Sequence, residues 1–419
     1  MNQNTNPVIP AFDLLDMHNY RIEKLPKREK KGFEKWLAVA GPILSVLAFI
    51  LFAFVIKLPF LQEIDSSQLV SEGAKKAWEK LGSAAFIRSN ELMLAIFAAG
   101  IILWITESIP NYLTSLIIIV ALVLTGVLTE KTAYAQLGHP VMWLNIMSFV
   151  LASMLMATGV AKRFALWFIL KFGKNAGTIF LSFIVINVVL SAFISATTSK
   201  AAILLPIFMV IAAIYGARGG KERNNFGRSI VLQNLLYINI GASGFLTGSG
   251  ANLLAAALIA GATGSTVFFS DWLFAMFPIM AGLLLIGYIL AMKVFFPLSP
   301  EERLPQIEGG MERLKQEYLK LGRLQFQEIK SVVIFLLILG FWATDKYHGI
   351  SPTAVAFVGG IVALLPRFGI IKWNEVDIPW HLMLFSAGAY TLGAGLDVTD
   401  LPSISVNAFF DHLGIGDNT

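Results

Sequence analysis

Between Thr178 and Tyr215 the only charged side chain is Lys200, and it closes a short polar run, Ser195-Ala196-Thr197-Thr198-Ser199-Lys200. On either side lie Thr178–Ile194 and Ala201–Tyr215, two apolar stretches without a charge. Polar groups at the centre of such a stretch are tolerated only where they are buried in protein or line a watery cavity. The run is therefore a candidate ion or substrate site, and it points to a transporter.

The rest of the chain agrees. Of its 419 residues, 56% are hydrophobic and 14% charged, with a mean hydropathy of +0.70. A soluble domain carries about 25% charged residues. Apolar segments recur near 36–57, 93–110, 112–128, 141–160, 177–194, 201–216, 229–260, 271–297, 329–345, 352–366 and 380–398. This pattern predicts an all-α polytopic membrane protein. The net charge of +5 comes from basic residues in short loops beside apolar runs, the positive-inside pattern, and does not imply nucleic-acid binding. Arg21, Lys24, Lys27, Arg28, Lys30, Lys31 and Lys35 outnumber Glu23, Glu29 and Glu34 ahead of the first span, so the N-terminus is expected in the cytoplasm of an inner or plasma membrane. The run Trp36–Ile56 is too long for a signal-peptide core. Cysteine is absent, which excludes disulfides, thiolate metal sites and cysteine nucleophiles.

Loop charge organises the crossings. Lys162, Arg163, Lys171 and Lys174 precede 177–216, and Arg218, Lys221, Arg223 and Arg228 follow it. Both flanks read as cytoplasmic, so 177–216 enters and leaves on one side; two full spans would just fit, and the polar run at its centre favours a re-entrant hairpin with that run at its tip. An echo runs through the chain: Trp104-Ile105-Thr106-Glu107 returns as Trp342-Ala343-Thr344-Asp345, Trp143 as Trp380, and Phe149 and Gly159 as Phe385 and Gly395, all at nearly one offset. Counting crossings from a cytoplasmic N-terminus gives the two copies opposite directions, an inverted repeat. The expected organisation is a basic tail (1–35), a first transmembrane helix with an outer loop (36–92), a first repeat with hairpin and broken helix (93–298), a charged linker (299–328) and an incomplete second repeat (329–419). Leu314, Tyr318 and Leu321 recur at helical spacing in the linker, which predicts an interfacial helix. A second tip, projected at the same offset, would fall beyond Thr419. The second repeat is thus expected to be truncated, and an interrupted reading frame or fragment is favoured over a natural half-carrier.

Three pieces carry a family resemblance: Trp104-Ile105-Thr106-Glu107-Ser108-Ile109-Pro110; the tip followed by Ala201-Ala202-Ile203-Leu204-Leu205-Pro206; and Asn239-Ile240-Gly241 through Thr247-Gly248-Ser249-Gly250-Ala251-Asn252. They resemble the divalent anion:sodium symporter family, carriers of di- and tricarboxylates or sulfate, over roughly 93–400. The tip lacks the family's asparagine, and Gly250 and Ala251 stand where its broken helix has prolines.

The resemblance implies an ion-transporter-type inverted-repeat fold, alternating access and a homodimer. It implies a small anionic substrate, with Na+ as coupling ion and no other cofactor. The helices that start after 195–200 and after 247–252 would aim their N-terminal N–H groups at the anion. Thr197, Thr198, Lys200 and Asn252 are the expected substrate ligands. Ser195, Ala196, Thr197, Gly248 and Ser249 are the expected sodium ligands, through hydroxyl and carbonyl oxygens. Asn252 has two open roles, bonding a carboxylate or bracing the unwound turn. Lys200 could instead replace a coupling cation, which makes sodium-independent anion exchange the alternative. A further alternative, of another class, is an inactive or partner-dependent half-carrier. Glu107, Asp345 and Asp397 lie near segment ends and read as structural. No zinc-protease, hydrolase-elbow or phosphate-loop pattern occurs, so no enzyme activity is expected. Membrane lipid is the other expected partner.

Overall fold

The computed structural model describes residues 13–20, 32–194, 197–218, 223–263 and 265–412, without the side chains at 18, 198, 257, 258, 261–263, 411 and 412. Among these there is no strand. The helices are α1 (Phe33–Ile50), α2 (Pro59–Gln62), α3 (Glu72–Leu81), α4 (Ser83–Thr106), α5 (Asn111–Leu124), α6 (Glu130–Ala135), α7 (Pro140–Thr158), α8 (Val160–Phe172), α9 (Ala176–Phe193) and α10 (Thr197–Ile214). They continue as α11 (Asn225–Ser243), α12 (Gly250–Thr263), α13 (Phe269–Leu290), α14 (Gly310–Lys320), α15 (Phe326–Ala343), α16 (Asp345–His348), α17 (Pro352–Leu364), α18 (Trp380–Thr399) and α19 (Leu401–His412). Six described stretches are long and apolar enough to cross a membrane: Phe33–Val55, Ser83–Thr106, Glu130–Thr158, Ala176–Phe193, Phe269–Phe295 and Phe326–Ala343. Several turn apolar side chains outward, as helices do when lipid is their solvent: Phe274 on α13 is 77% exposed and Val39 on α1 is 68% exposed.

The chain gathers into two compact units, Met1–Lys27 with Leu144–Ile378, and Arg28–Trp143 with Pro379–Thr419. In the second of these, α5 packs along α18 through small residues. A Cβ on Gly388 would stand 2.3 Å from Cβ and 2.7 Å from Cα of Ser115, so only glycine permits this approach. The Ser115 hydroxyl also donates to the Phe385 carbonyl at 3.3 Å. Part of the charge in the connector between α1 and α4 is paired internally. Glu91, 3% exposed, accepts from Lys57 at 2.6 Å, Arg88 at 2.8 Å and Gln62 at 2.9 Å. That pairing lets α4 begin at Ser83, ten residues before the apolar run starts at 93, and the connector contains α2 and α3. Asp400 and Asp397 hold the start of α3: Asp400 accepts the Val70 N–H at 2.6 Å, and Asp397 accepts the Ser71 hydroxyl at 2.7 Å.

In the other unit, Asp345 is fully buried and caps α13. It accepts the Phe269 N–H and the Ser270 hydroxyl, both at 2.6 Å, where the positive end of the helix favours a carboxylate. The linker forms α14, with Leu314 buried against α8. Arg163 on α8 secures the chain beyond α14, pairing with Glu328 at 2.7 Å and donating to the carbonyls of Leu321 at 2.8 Å and Gly322 at 2.9 Å. Glu302 ties the linker to α11 by accepting the Asn225 N–H at 2.6 Å and the Ser299 N–H at 2.9 Å.

The two tryptophan motifs share a local construction. Trp104, near the end of α4, donates its indole N–H to the Asn111 carbonyl at the start of α5 at 3.4 Å. Trp342, near the end of α15, donates to the Pro352 carbonyl at the start of α17 at 3.0 Å. Thr106 and Thr344 each bond the carbonyl four residues back at 2.8 Å.

Two outcomes are expected. Gly388→Leu must force α5 and α18 apart and lower the thermal midpoint of the purified protein, whereas a leucine at an outward site such as Val39 leaves it unchanged. Burial raises the Glu302 carboxyl, but the N–H groups of Ser299 and Asn225 outweigh it and hold the carboxyl below its ordinary value of 4.5. Its stabilisation of the linker is therefore present above that value and is lost as pH falls through the lower folded-state value. Amide exchange at Asn225, corrected for intrinsic rate, should rise on acidification, and Glu302→Gln should remove the dependence.

Candidate functional site

The unit containing Leu144–Ile378 brings the hairpin and the broken helix together. α9 and α10 are the two arms, each of 18 residues, joined through 194–196. Ile194 is already extended, with φ −122° and ψ 108°, so the chain leaves the helix just before the tip. Of the expected site residues, Ser195 and Ala196 lie outside the described residues. Thr197 opens α10 and is partly buried, and Thr198 follows it in the helix, its side chain also outside the description.

Lys200 is completely buried. Its ammonium donates to the Ser191 hydroxyl across the hairpin at 2.9 Å, and among the described residues no carboxylate pairs with it. Ser191 faces the broken helix in turn: its Oγ lies 3.3 Å from where a Cβ on Gly241 would stand. One turn earlier on α9, Asn187 donates to the Phe183 carbonyl at 2.8 Å and to Asn234 Oδ1 of α11 at 3.4 Å, while its own Oδ1 has no partner. A polar seam thus runs between the first hairpin arm and α11, with the lysine at its end.

The run 229–260, uncharged throughout, is broken at 244–249. α11 stops at Ser243, a single 3-10 turn spans Leu246–Gly248, Ser249 is extended, and α12 starts at Gly250. The freed backbone groups are caught by side chains. Asn252 donates its amide hydrogens to the Ala242 and Phe245 carbonyls, both at 2.8 Å, and Trp272 donates to the Ser243 carbonyl at 2.8 Å. Ser249 Oγ accepts the Asn252 N–H at 3.4 Å, capping α12. Gly248 is buried in this turn, and a Cβ there would lie 2.2 Å from the Ala242 carbonyl oxygen. Of the two roles open to Asn252, the amide donors serve the brace; its carbonyl oxygen is what remains for a ligand. Gly248 and Ser249 sit on the turn itself, where oxygen ligands would come from.

Asn187, Ser191 and Asn234 were invisible as site residues because Asn187 and Ser191 are single polar residues within an apolar run and Asn234 follows only Gln233 within another. Their spacing was the available signal: Asn187 and Ser191 are four apart on one face of α9. Among the described residues no group of three or more histidine, aspartate or glutamate side chains could hold a metal ion.

The family profile described as sodium:sulfate symporter transmembrane region matches residues 84–416. The chain is 25% identical over 319 residues to a sodium-dependent dicarboxylate transporter of Staphylococcus saprophyticus, covering 71% of this chain and 60% of that protein. It is 27% identical over 314 residues to the chloroplastic dicarboxylate transporter 1 of Spinacia oleracea, covering 73% and 53%. It is also 25% identical over 328 residues to a membrane protein of Cupriavidus necator, covering 74% and 62%. The chain therefore spans less than two thirds of the length of these relatives.

Replacing Gly248 by alanine should destabilise the protein by about 2–3 kcal/mol, since the clash is with backbone. Gly250→Ala is the control, its nearest neighbour being 3.6 Å away, and should leave the thermal midpoint in place. With a matched profile over 84–416, apolar helices of spanning length and a lysine-bearing hairpin beside a broken helix, the chain belongs to the sodium:sulfate symporter family of multi-pass membrane transporters.

Proposed function

We propose that this chain is a secondary carrier of small divalent organic anions, of the dicarboxylate type, working by alternating access. The observation that carries the reading is Lys200: a fully buried ammonium with a serine hydroxyl and no described carboxylate beside it. A buried amine without a counter-ion holds its charge best when an anion stands beside it, so the position suits an anion that arrives and leaves. Thr197 and Thr198 at the start of α10, Lys200, and the carbonyl oxygen of Asn252 are the proposed substrate contacts. Ser195, Ala196, Thr197, Gly248 and Ser249 are the proposed oxygen donors for sodium. The names of the staphylococcal and spinach relatives support the substrate class, and the staphylococcal name supports sodium coupling. The shared construction at Trp104 and Trp342 supports an inverted repeat. The same reading includes a cytoplasmic N-terminus, an inner or plasma membrane and a homodimer.

Lys200 also favours a second reading, sodium-independent exchange. One ammonium neutralises one carboxylate, so a lysine at the tip can stand in for a bound cation. Reconstituted vesicles separate the two. Symport requires labelled succinate uptake driven by an inward sodium gradient into empty vesicles. Exchange requires uptake only into vesicles preloaded with dicarboxylate, whatever the sodium. Lys200→Ala should abolish transport or make it sodium-dependent; an unchanged rate and sodium response would remove Lys200 from the mechanism.

A further inference from the structure

α7 holds a side chain that none of these roles uses. Asn145 is completely buried, and neither its amide nitrogen nor its amide oxygen has a hydrogen-bond partner. Two further buried polar side chains share the condition. Ser148, one turn further along α7, is 4% exposed, and Thr247, on the turn before α12, is 3% exposed; both hydroxyls are unpartnered. The Asn145 side chain is directed at the start of α12, with Oδ1 3.6 Å from where a Cβ on Gly250 would stand. Buried amides are nearly always satisfied, so a doubly bare one marks a place where something else bonds.

The chemistry of that something follows from the helix. α12 has 14 residues, and its first-turn N–H groups lack intrahelical acceptors and carry partial positive charge. The bare amide aimed at them, with a bare hydroxyl on the turn just before the helix, makes a donor set suited to an oxyanion rather than a cation. Because neither amide atom is bonded, the group is free to turn its N–H donors toward the ligand. Gly250, without a Cβ, leaves the approach open.

We propose that Asn145, with the Thr247 hydroxyl and the first turn of α12, receives one oxyanion group of the transported dianion, so that α7 contributes directly to the binding site. This rests on the anion-carrier reading above. It adds a contact from a helix outside both the hairpin and the break.

The test is equilibrium binding of succinate and, separately, of inorganic sulfate to the purified full chain, with thermal midpoints measured alongside. Asn145→Leu removes the amide at similar volume. It should leave the midpoint equal or raised, since a bare buried amide is lost, and weaken anion binding about tenfold or more, the effect of losing a hydrogen bond to a charged group. Asn145→Asp keeps the shape but adds a negative charge and should weaken binding further. If the wild type binds succinate and Asn145→Leu binds it equally well, the proposal fails while the carrier reading stands. If the wild type binds sulfate but not succinate, and Asn145→Leu weakens the sulfate, the site stands and the dicarboxylate reading falls. Sodium-dependent binding that grows stronger in Asn145→Asp would show a cation site and overturn the proposal.

Discussion

A helix broken among apolar residues leaves carbonyls and N–H groups that lipid cannot satisfy, and the candidate site depends on how this is resolved. One side chain does most of it. Asn252 spans the break, with its amide hydrogens on Ala242 and Phe245, while its own N–H is capped by Ser249. The fit is tight enough that Gly248 admits no Cβ. The break is therefore an ordered element that holds the start of α12 in place. A helix start at such a break offers N–H groups and positive potential without the desolvation cost of a second buried cation.

The hairpin solves a related problem differently. Its arms carry their polar residues on the side toward α11, so Asn187, Ser191 and Lys200 are removed from lipid by neighbouring helix backbone. Gly241 allows that contact to be close. Asn252 and Trp272 satisfy carbonyls at the break, whereas the Thr247 hydroxyl on the break itself, Asn187 Oδ1 and both amide atoms of Asn145 stay bare. The unit thus separates groups that hold its shape from groups left with spare bonding capacity.

Much of this was legible in the sequence. The hairpin arms stand out because Thr178–Ile194 and Ala201–Tyr215 hold no charge, and the linker helix because Leu314, Tyr318 and Leu321 share a face. The start of α4 was not legible, because Arg88 and Glu91 look like loop charges until they are seen to neutralise each other. Asp345 read as structural from its place near a helix end, but the helix it caps begins at Phe269, 76 residues away in sequence. Single asparagines and serines inside apolar runs resist interpretation for a physical reason: the same residues pack helices closely and bind ligands. Only their unmet hydrogen bonds distinguish the two, and those depend on what the fold places opposite them.

The buried lysine has an electrical consequence. A dianion moving alone through the membrane field carries two charges, each worth about 2.3 kcal/mol per 100 mV. Accompanied by the Lys200 ammonium in its charged form, it presents one. The resting potential would then oppose its inward movement half as strongly, and the return of an empty site would carry a positive charge of its own. Over a full cycle the charge moved is still two per dianion, so the difference is read from the transient charge movements of the loaded and the empty carrier, not from the steady current.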